Sequence, residues 1–419
     1  MENYIDKTAV ASASIFCIGL GWFPKTPGGL DRYVYELTHH LAAAQDRVKL
    51  YALGLPEAEL NSRVELTNLA SPDSPIWQRL WSIRSNFLSR RTVKPDAINL
   101  HFALYSLPLL KILPEEVPIT FTFHGPWALE SKHERASKLD VCLKHWMEQR
   151  VYSRCDQFIV LSKAFGTILN QHYKIPWEKI HIIPGGVDLA RFQSNLSRQQ
   201  AREHLKWPQD RMIIFTPRRL VYRMGLDNLL TALAKIKPRI PDVWLAIAGL
   251  GPLQASLRQQ ATELGLNDHV KFLGFLPEDQ LPLAYQAADL TIMPSQCLEG
   301  FGLTLLESLA CGTPALCTPV GGMPEVLDPF SPDLIASSPN ATAIAERLEE
   351  LLTGQVAMPS RAACREYAST HFDWHKIAQR VRKVLLVQDN PNENCISIPE
   401  WQVGRCKPVP DRYCESRSR

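Results

Sequence analysis

The chain lacks any regular cysteine framework. Ten cysteines are scattered along 419 residues without a Cys-x-x-Cys pair. A chain of this length needs no disulfide staples, so reduced thiols in a cytoplasmic protein are expected. Cys395, Cys406 and Cys414 near the end fit no common zinc spacing. No stretch approaches the ~18 consecutive apolar residues of a spanning helix. Residues 8–24 carry no charge, but Glu2 and Asp6 beside Lys7 deny them the basic flank of a signal peptide. Gly19 and Gly21 fit a buried strand turning into a loop instead. Excess charge is missing too: 46 Lys+Arg against 43 Asp+Glu leave +3. That is too near balance for a wholesale polyanion binder, and no nucleic-acid partner is expected. There is no Asp-x-Asp, so a metal-held diphosphate of that type is not expected, and no metal ligands are assigned. The motifs G-x4-G-K-[ST], H-E-x-x-H and G-x-S-x-G are absent as well, which removes P-loop, zinc-protease and serine-hydrolase readings.

What is present is an alternation. Hydrophobic residues make up 45% and charged residues 21%, ordinary values for a globular chain. Short apolar runs at 14–20, 48–53, 97–102, 119–123, 158–161 and 181–183 are separated by stretches of helical spacing. A polar interval at 185–210 breaks the rhythm. A second series follows at 212–216, 243–248, 270–275, 290–293, 315–317 and 334–336. The pattern predicts an α/β protein with two Rossmann-like, doubly wound parallel-sheet domains facing a cleft. The expected divisions are 1–195 and 196–372, a last helix at 373–387 and a polar, mobile tail at 388–419. In such sheets ligands bind beyond the carboxyl ends of the strands.

Four segments at predicted strand ends could carry chemistry. In Glu299-Gly300-Phe301-Gly302-Leu303-Thr304-Leu305-Leu306-Glu307, the glycines let backbone approach a ligand, and a helix starting near Gly302 would aim free N–H groups at an anion or at sugar hydroxyls. Glu299 and Glu307 lie up to ~12 Å apart on helical rise, too far for a proton-sharing dyad. They could grip two parts of one extended ligand, or be a loop and a helix-surface residue. The second segment holds Arg218, Arg219 and Arg223. Guanidiniums there suit bidentate phosphate binding, or are surface charges at a domain entrance. The Gly28-Gly29 pair opening a helix could present amides to a phosphate, and a plain tight turn explains it as well. His124, beside Gly125 and Pro126 at a strand end, could donate hydrogen bonds or move a proton, or be structural.

Together these stretches resemble the family 4 glycosyltransferases, retaining enzymes of the GT-B fold. The resemblance runs from about residue 14 to 387 and is most specific over 299–314, an E-x7-E block followed by Ala310-Cys311-Gly312-Thr313-Pro314. Ile182-Ile183-Pro184-Gly185-Gly186-Val187-Asp188, Gly249-Leu250-Gly251-Pro252 and Phe272-Leu273-Gly274-Phe275 support it. The resemblance implies transfer of a sugar from a UDP- or GDP-linked donor, without metal or other cofactor. It implies that Glu299 holds donor-sugar hydroxyls, and that Gly300, Phe301, Gly302 and Leu303 contact sugar and diphosphate. Glu307 would bind ribose, and Arg219 would stabilise the leaving diphosphate. Gly274 and Phe275 would lie near the base, and His124 with Gly28 and Gly29 would complete the site. Glu299, His124 and Arg219 are the expected catalytic residues. The family usually has Lys where this chain has Met224, and Arg223 is the candidate to replace that charge. Gly185 stands where Asn is usual.

Residues 76–94 join Arg79, Arg84, Arg90, Arg91 and Lys94 to Ile76, Trp77, Leu80, Trp81, Ile83, Phe87 and Leu88, with no acid among them. This is either a solvated helix packing its aromatics inward or a surface for anionic membrane. The overall expectation is a cytoplasmic enzyme, peripheral to the inner face of the membrane, acting on a glycan or lipid-linked acceptor in glycolipid or cell-surface polysaccharide synthesis. The alternatives are a catalytically weak nucleotide-sugar-binding protein of the same fold, and another GT-B enzyme such as a phosphorylase or epimerase.

Overall fold

The computed structural model describes residues 12–26, 28–56, 63–91, 93–134, 136–193 and 196–386. The expected tail at 388–419, with its three cysteines, and the charged start at 1–7 lie outside the described residues.

The alternating apolar runs form two sheets. The strands are β1 Ser14–Ile18, β2 Arg47–Ala52, β3 Glu65–Asn68, β4 Ala97–Leu100, β5 Ile119–Phe123, β6 Gln157–Val160 and β7 Ile180–Ile182 in the first. The second holds β8 Met212–Pro217, β9 Val243–Ala248, β10 Val270–Gly274, β11 Leu290–Met293 and β12 Ala315–Cys317. The first sheet has the order β3-β2-β1-β4-β5-β6-β7 and the second β10-β9-β8-β11-β12. In both, the order runs backward from the first strand and then jumps to its other side, the doubly wound arrangement. β8 pairs parallel with β9 on one side and β11 on the other, placing Leu290 opposite Ile214. All five residues of β1 and all six of β9 are buried, as a parallel sheet covered on both faces requires. Burying one such Val, Leu, Ile or Phe contributes ~1.5–3 kcal/mol.

Two readings change. The strand expected at 334–336 is a single bridge between Cys317 and Ile335, because Pro332 opens a 3-10 turn over Pro332–Leu334 that uses up the run. β3 was not expected: its Glu-Leu-Thr-Asn has one buried residue, and it lies at the sheet edge, where Glu65 pairs with Lys49. The polar interval also contains a helix, Arg198–Leu205, started by a capping box of Ser197 and Gln200.

By contact density the chain forms two compact units. Among the described residues, one gathers those up to Thr122, Met147–Phe158 and 378–386. Within it Arg382 donates to both carboxylate oxygens of Asp46, at 2.7 and 2.8 Å. The other gathers Phe123–Trp146 and Ile159–Ile377. The described cysteines are all free thiols, and no described helix is long and apolar enough to cross a membrane.

Candidate functional site

In the second sheet the order reverses between β8 and β11, and the loops leaving those two strands carry Arg218 and Ser295–Glu299. Glycines shape both. Gly249 has φ +138°, and a Cβ there would lie 1.9 Å from the Arg218 carbonyl, so the β9 loop presses directly on the arginine loop. Gly321 has φ +58°, and a Cβ would lie 1.8 Å from the Glu299 carbonyl, which accepts from Gly322 N at 3.0 Å. The Gly321-Gly322 pair is therefore the bed on which the Glu299 loop rests. Gly302, at φ +86°, starts the helix Leu303–Ala310.

Glu299 Oε2 accepts from Ser295 Oγ at 3.1 Å and faces Arg218 Nη2 at 3.1 Å. Arg218 Nη2 also reaches Ser295 Oγ, at 3.1 Å. The Arg218 side chain is only 7% exposed, and its Nε has no protein acceptor. A buried N–H left unpaired costs ~1–3 kcal/mol. The Met224 Sδ lies 3.9 Å from the same Ser295 oxygen.

Arg223 is buried and turns the other way. It reaches Glu130 at 3.5 Å, Glu134 at 3.9 Å and the Leu298 carbonyl at 3.1 Å. Arg219 is exposed, and partial desolvation among its neighbours and the nearby Arg223 lower its pKa against the pull of Glu130, Glu134 and Glu299. Burial raises the Glu130 carboxyl, with Arg223 and Arg219 opposing. Glu130 itself closes on the strand end, since a Cβ on Gly125 would lie 2.9 Å from its Oε1. His124, the residue before, is desolvated to a pKa of about 3 and is neutral at physiological pH.

The structure thus brings together Glu299, Arg219, Arg223 and the Gly300–Leu303 backbone. The Gly300 carbonyl accepts from Ser162 Oγ at 2.6 Å, and a Cβ on Gly300 would lie 2.7 Å from Phe165. Phe301 is buried against Phe372. Glu307 is buried and accepts from the Tyr285 hydroxyl at 2.8 Å. Gly274 has φ +70° and its carbonyl accepts from Gly249 N at 2.7 Å; Phe275 beside it is 51% exposed. Gly28 and Gly29 belong to the other compact unit. There Gly28 is exposed in extended backbone before the helix Gly29–Ala43, and Asp31 accepts from Gly21 N at 2.8 Å. A cavity of about 390 Å³ in that unit is lined by Trp22, Pro24, Lys25, Gly54, Leu55 and Pro56. At position 185 a Cβ would lie 2.4 Å from Leu303 Cδ2, so a larger residue there would displace that leucine side chain.

Sequence reasoning missed Glu130, Glu134, Ser162, Ser295 and the Gly321-Gly322 bed. The Gly-Gly pair after a short apolar run was the available signal. The carboxylates carried none, being two acids in and just after the short charged helix Trp127–His133.

On the helix Ile76–Arg90, Ile83 and Phe87 are buried while Trp77 and Trp81 are 72% and 69% exposed. The inward-packing reading therefore fails for both tryptophans.

Comparison with known proteins agrees with this architecture. The family model described as "Glycosyltransferase Family 4" matches residues 27–191, and "Glycosyl transferases group 1" matches 197–371. A GDP-mannose-dependent alpha-(1-6)-phosphatidylinositol monomannoside mannosyltransferase of Mycolicibacterium smegmatis is 31% identical over 221 residues, covering 50% of this chain and 57% of that protein. A D-inositol 3-phosphate glycosyltransferase of the same organism is 33% identical over 265 residues, covering 62% of this chain and 59% of that protein. These matches thus span little more than half the length of either relative. Among solved structures, sucrose-phosphate synthase from Thermosynechococcus elongatus superposes with a TM-score of 0.74 at 23% identity, covering 89% of this chain and 98% of that one. HepE of Anabaena in complex with UDP-glucose gives 0.71 at 19% identity, covering 89% and 99%. With two α/β sheets of doubly wound order and both family models matched in sequence, the chain belongs to the family 4 glycosyltransferases and has the GT-B fold.

Proposed function

We propose that the protein is a retaining, metal-independent glycosyltransferase that moves a hexose from a nucleoside diphosphate to a membrane-embedded glycolipid acceptor. The observation that carries this reading is the pairing of Glu299 with Arg218 at the switch point of the second sheet, with Arg219, Arg223 and the Gly300–Leu303 backbone beside it. Breaking the bond from sugar to diphosphate builds negative charge on the leaving phosphate. Prepositioned guanidiniums and helix-terminal N–H groups lower that barrier because they need not reorganise. Arg219 and the amides at the Gly302 helix start supply the positive field. Glu299, held through one oxygen, takes donor-sugar hydroxyls with the other. Glu307, oriented by Tyr285, takes the ribose, and Gly274 and Phe275 border the base. His124 acts as a neutral hydrogen-bonding group, consistent with its depressed pKa. Transfer follows a front-face, oxocarbenium-like path, and Glu299 is not a nucleophile.

The name of the mannosyltransferase relative makes GDP-mannose the first donor to test and a mannosylated phosphatidylinositol the first acceptor class. The Gly28-Gly29 turn and the cavity beside Trp22 and Lys25 suit an acceptor headgroup bearing sugar and phosphate. Trp77 and Trp81 with Arg84, Arg90 and Arg91 suit docking on an anionic bilayer from the cytoplasmic side. The test is transfer of carbon-13-labelled mannose into extracted lipid, with the anomeric configuration of the product read by NMR. Labelled lipid with the donor's configuration supports the reading. Inverted product, free sugar phosphate or an epimerised nucleotide refutes it.

A further inference from the structure

Arg218 was grouped with its neighbours in the sequence as one of several loop arginines. Its surroundings single it out. It is the buried guanidinium that contacts Glu299, and all of its protein contacts run through one nitrogen: Nη2 meets Ser295 Oγ at 3.1 Å, Glu299 Oε2 at 3.1 Å and Met323 Sδ at 3.7 Å. Nε is buried without a protein acceptor. A guanidinium has five N–H donors, so most of this one's capacity is uncommitted. The Ser295 hydroxyl that meets Arg218 also meets the tip of Met224, so these two side chains end at the same corner. Arg223, the residue that sequence position nominates to supply a cation there, faces Glu130 at 3.5 Å and Glu134 at 3.9 Å and donates to the Leu298 carbonyl, so although its Nε too lacks an acceptor, its charge is directed at those two carboxylates rather than at Glu299.

We propose that Arg218 is a further donor-site residue, which fixes Glu299 through Oε2 and turns its free N–H groups to the donor diphosphate, so that the corner closed by the uncharged Met224 still carries a cation. The inference rests on the donor-site reading above. Arginine suits both tasks because its planar fork can hold a carboxylate on one edge and a phosphate on another.

The experiment measures binding of GDP, guanosine, UDP and uridine to the full chain by calorimetry. Wild-type protein that binds neither diphosphate refutes the donor-site reading, and this is settled before any variant is compared. With wild-type binding established, Arg218→Gln weakens the bound diphosphate by about 10- to 100-fold, the range for a lost hydrogen bond to a charged group. It leaves the matching nucleoside within about 2-fold. Adding Met224→Lys to Arg218→Gln recovers most of the loss. Equal loss for diphosphate and nucleoside, or a double variant no tighter than Arg218→Gln, would overturn the proposal, since a merely structural arginine behaves that way. Circular dichroism checks each variant's fold. Should Arg218→Gln not fold, Met224→Lys alone decides. With Arg218 in place the added ammonium tightens the diphosphate by less than about 3-fold, whereas a gain above about 10-fold means the corner lacked a cation and Arg218 does not supply one.

Discussion

The Ser162 hydroxyl donates to the Gly300 carbonyl at 2.6 Å while accepting from Phe165 N at 3.2 Å. One side chain thus caps the helix Lys163–Tyr173 and anchors the glycine loop. The Glu325 carboxylate secures the same junction by accepting from Lys163 N and Ala164 N, each at 2.8 Å. Ser162→Ala removes a cap and a tether together, a loss of ~1–2 kcal/mol. The expected outcome is a Tm lower by about 2–8 °C, with donor turnover reduced more than donor affinity. Thermal melts and a kcat-against-KM comparison check it.

Gly321 tests the bed under Glu299. Alanine there would meet the Glu299 carbonyl at 1.8 Å in a left-handed backbone. Gly321→Ala forces the loop to move, and turnover falls by at least ~10-fold, since small misplacements of catalytic groups are costly. The conservative control is Gly354→Ala, where φ is also positive, +75°, but no atom lies within 4 Å of the added Cβ. It carries only the backbone cost, and turnover stays near wild type.

His124 sets a pH window. Its pKa falls from 6.5 to about 3 because burial disfavours the imidazolium. The unfolded chain therefore binds the extra proton first as pH drops. Stability from this group is whole above pH 6.5 and is lost as pH falls toward about 3. Melts of wild type and His124→Gln between pH 7 and 4 should differ in slope, with the variant less acid-sensitive. Activity should show no His124 inflection between pH 5 and 8.

Trp77 and Trp81 test the membrane surface. Replacing both with Ala removes exposed apolar area and leaves the buried Ile83 and Phe87 face intact. Co-sedimentation with vesicles of anionic phospholipid should fall by at least ~10-fold, and likewise for Arg84, Arg90 and Arg91 changed to Ser, with the second effect diminishing at high salt. Equal sedimentation of both variants and wild type would remove this part of the account.

The sheets and the glycine loop are legible in the sequence because their signals are local. Continuous apolar runs mark strands buried on both faces, and a glycine at the helix start marks Gly302 directly. β3 escaped because an edge strand keeps polar residues. The Arg218–Glu299 pair escaped because adjacent arginines look alike until β8 and β11 are paired, when one turns inward and the other stays exposed. Glu130 lies in the short helix Trp127–His133 and Glu134 just past its end, and their meaning comes only from Arg223 facing them.

The most direct test is nucleoside diphosphate release from a panel of GDP-, UDP- and ADP-sugars, with and without chelator and acceptor-bearing lipid. The account predicts release from one donor class, unchanged by chelator and lost in Glu299→Ala. Release that requires added metal, or that survives in Glu299→Ala, would contradict it.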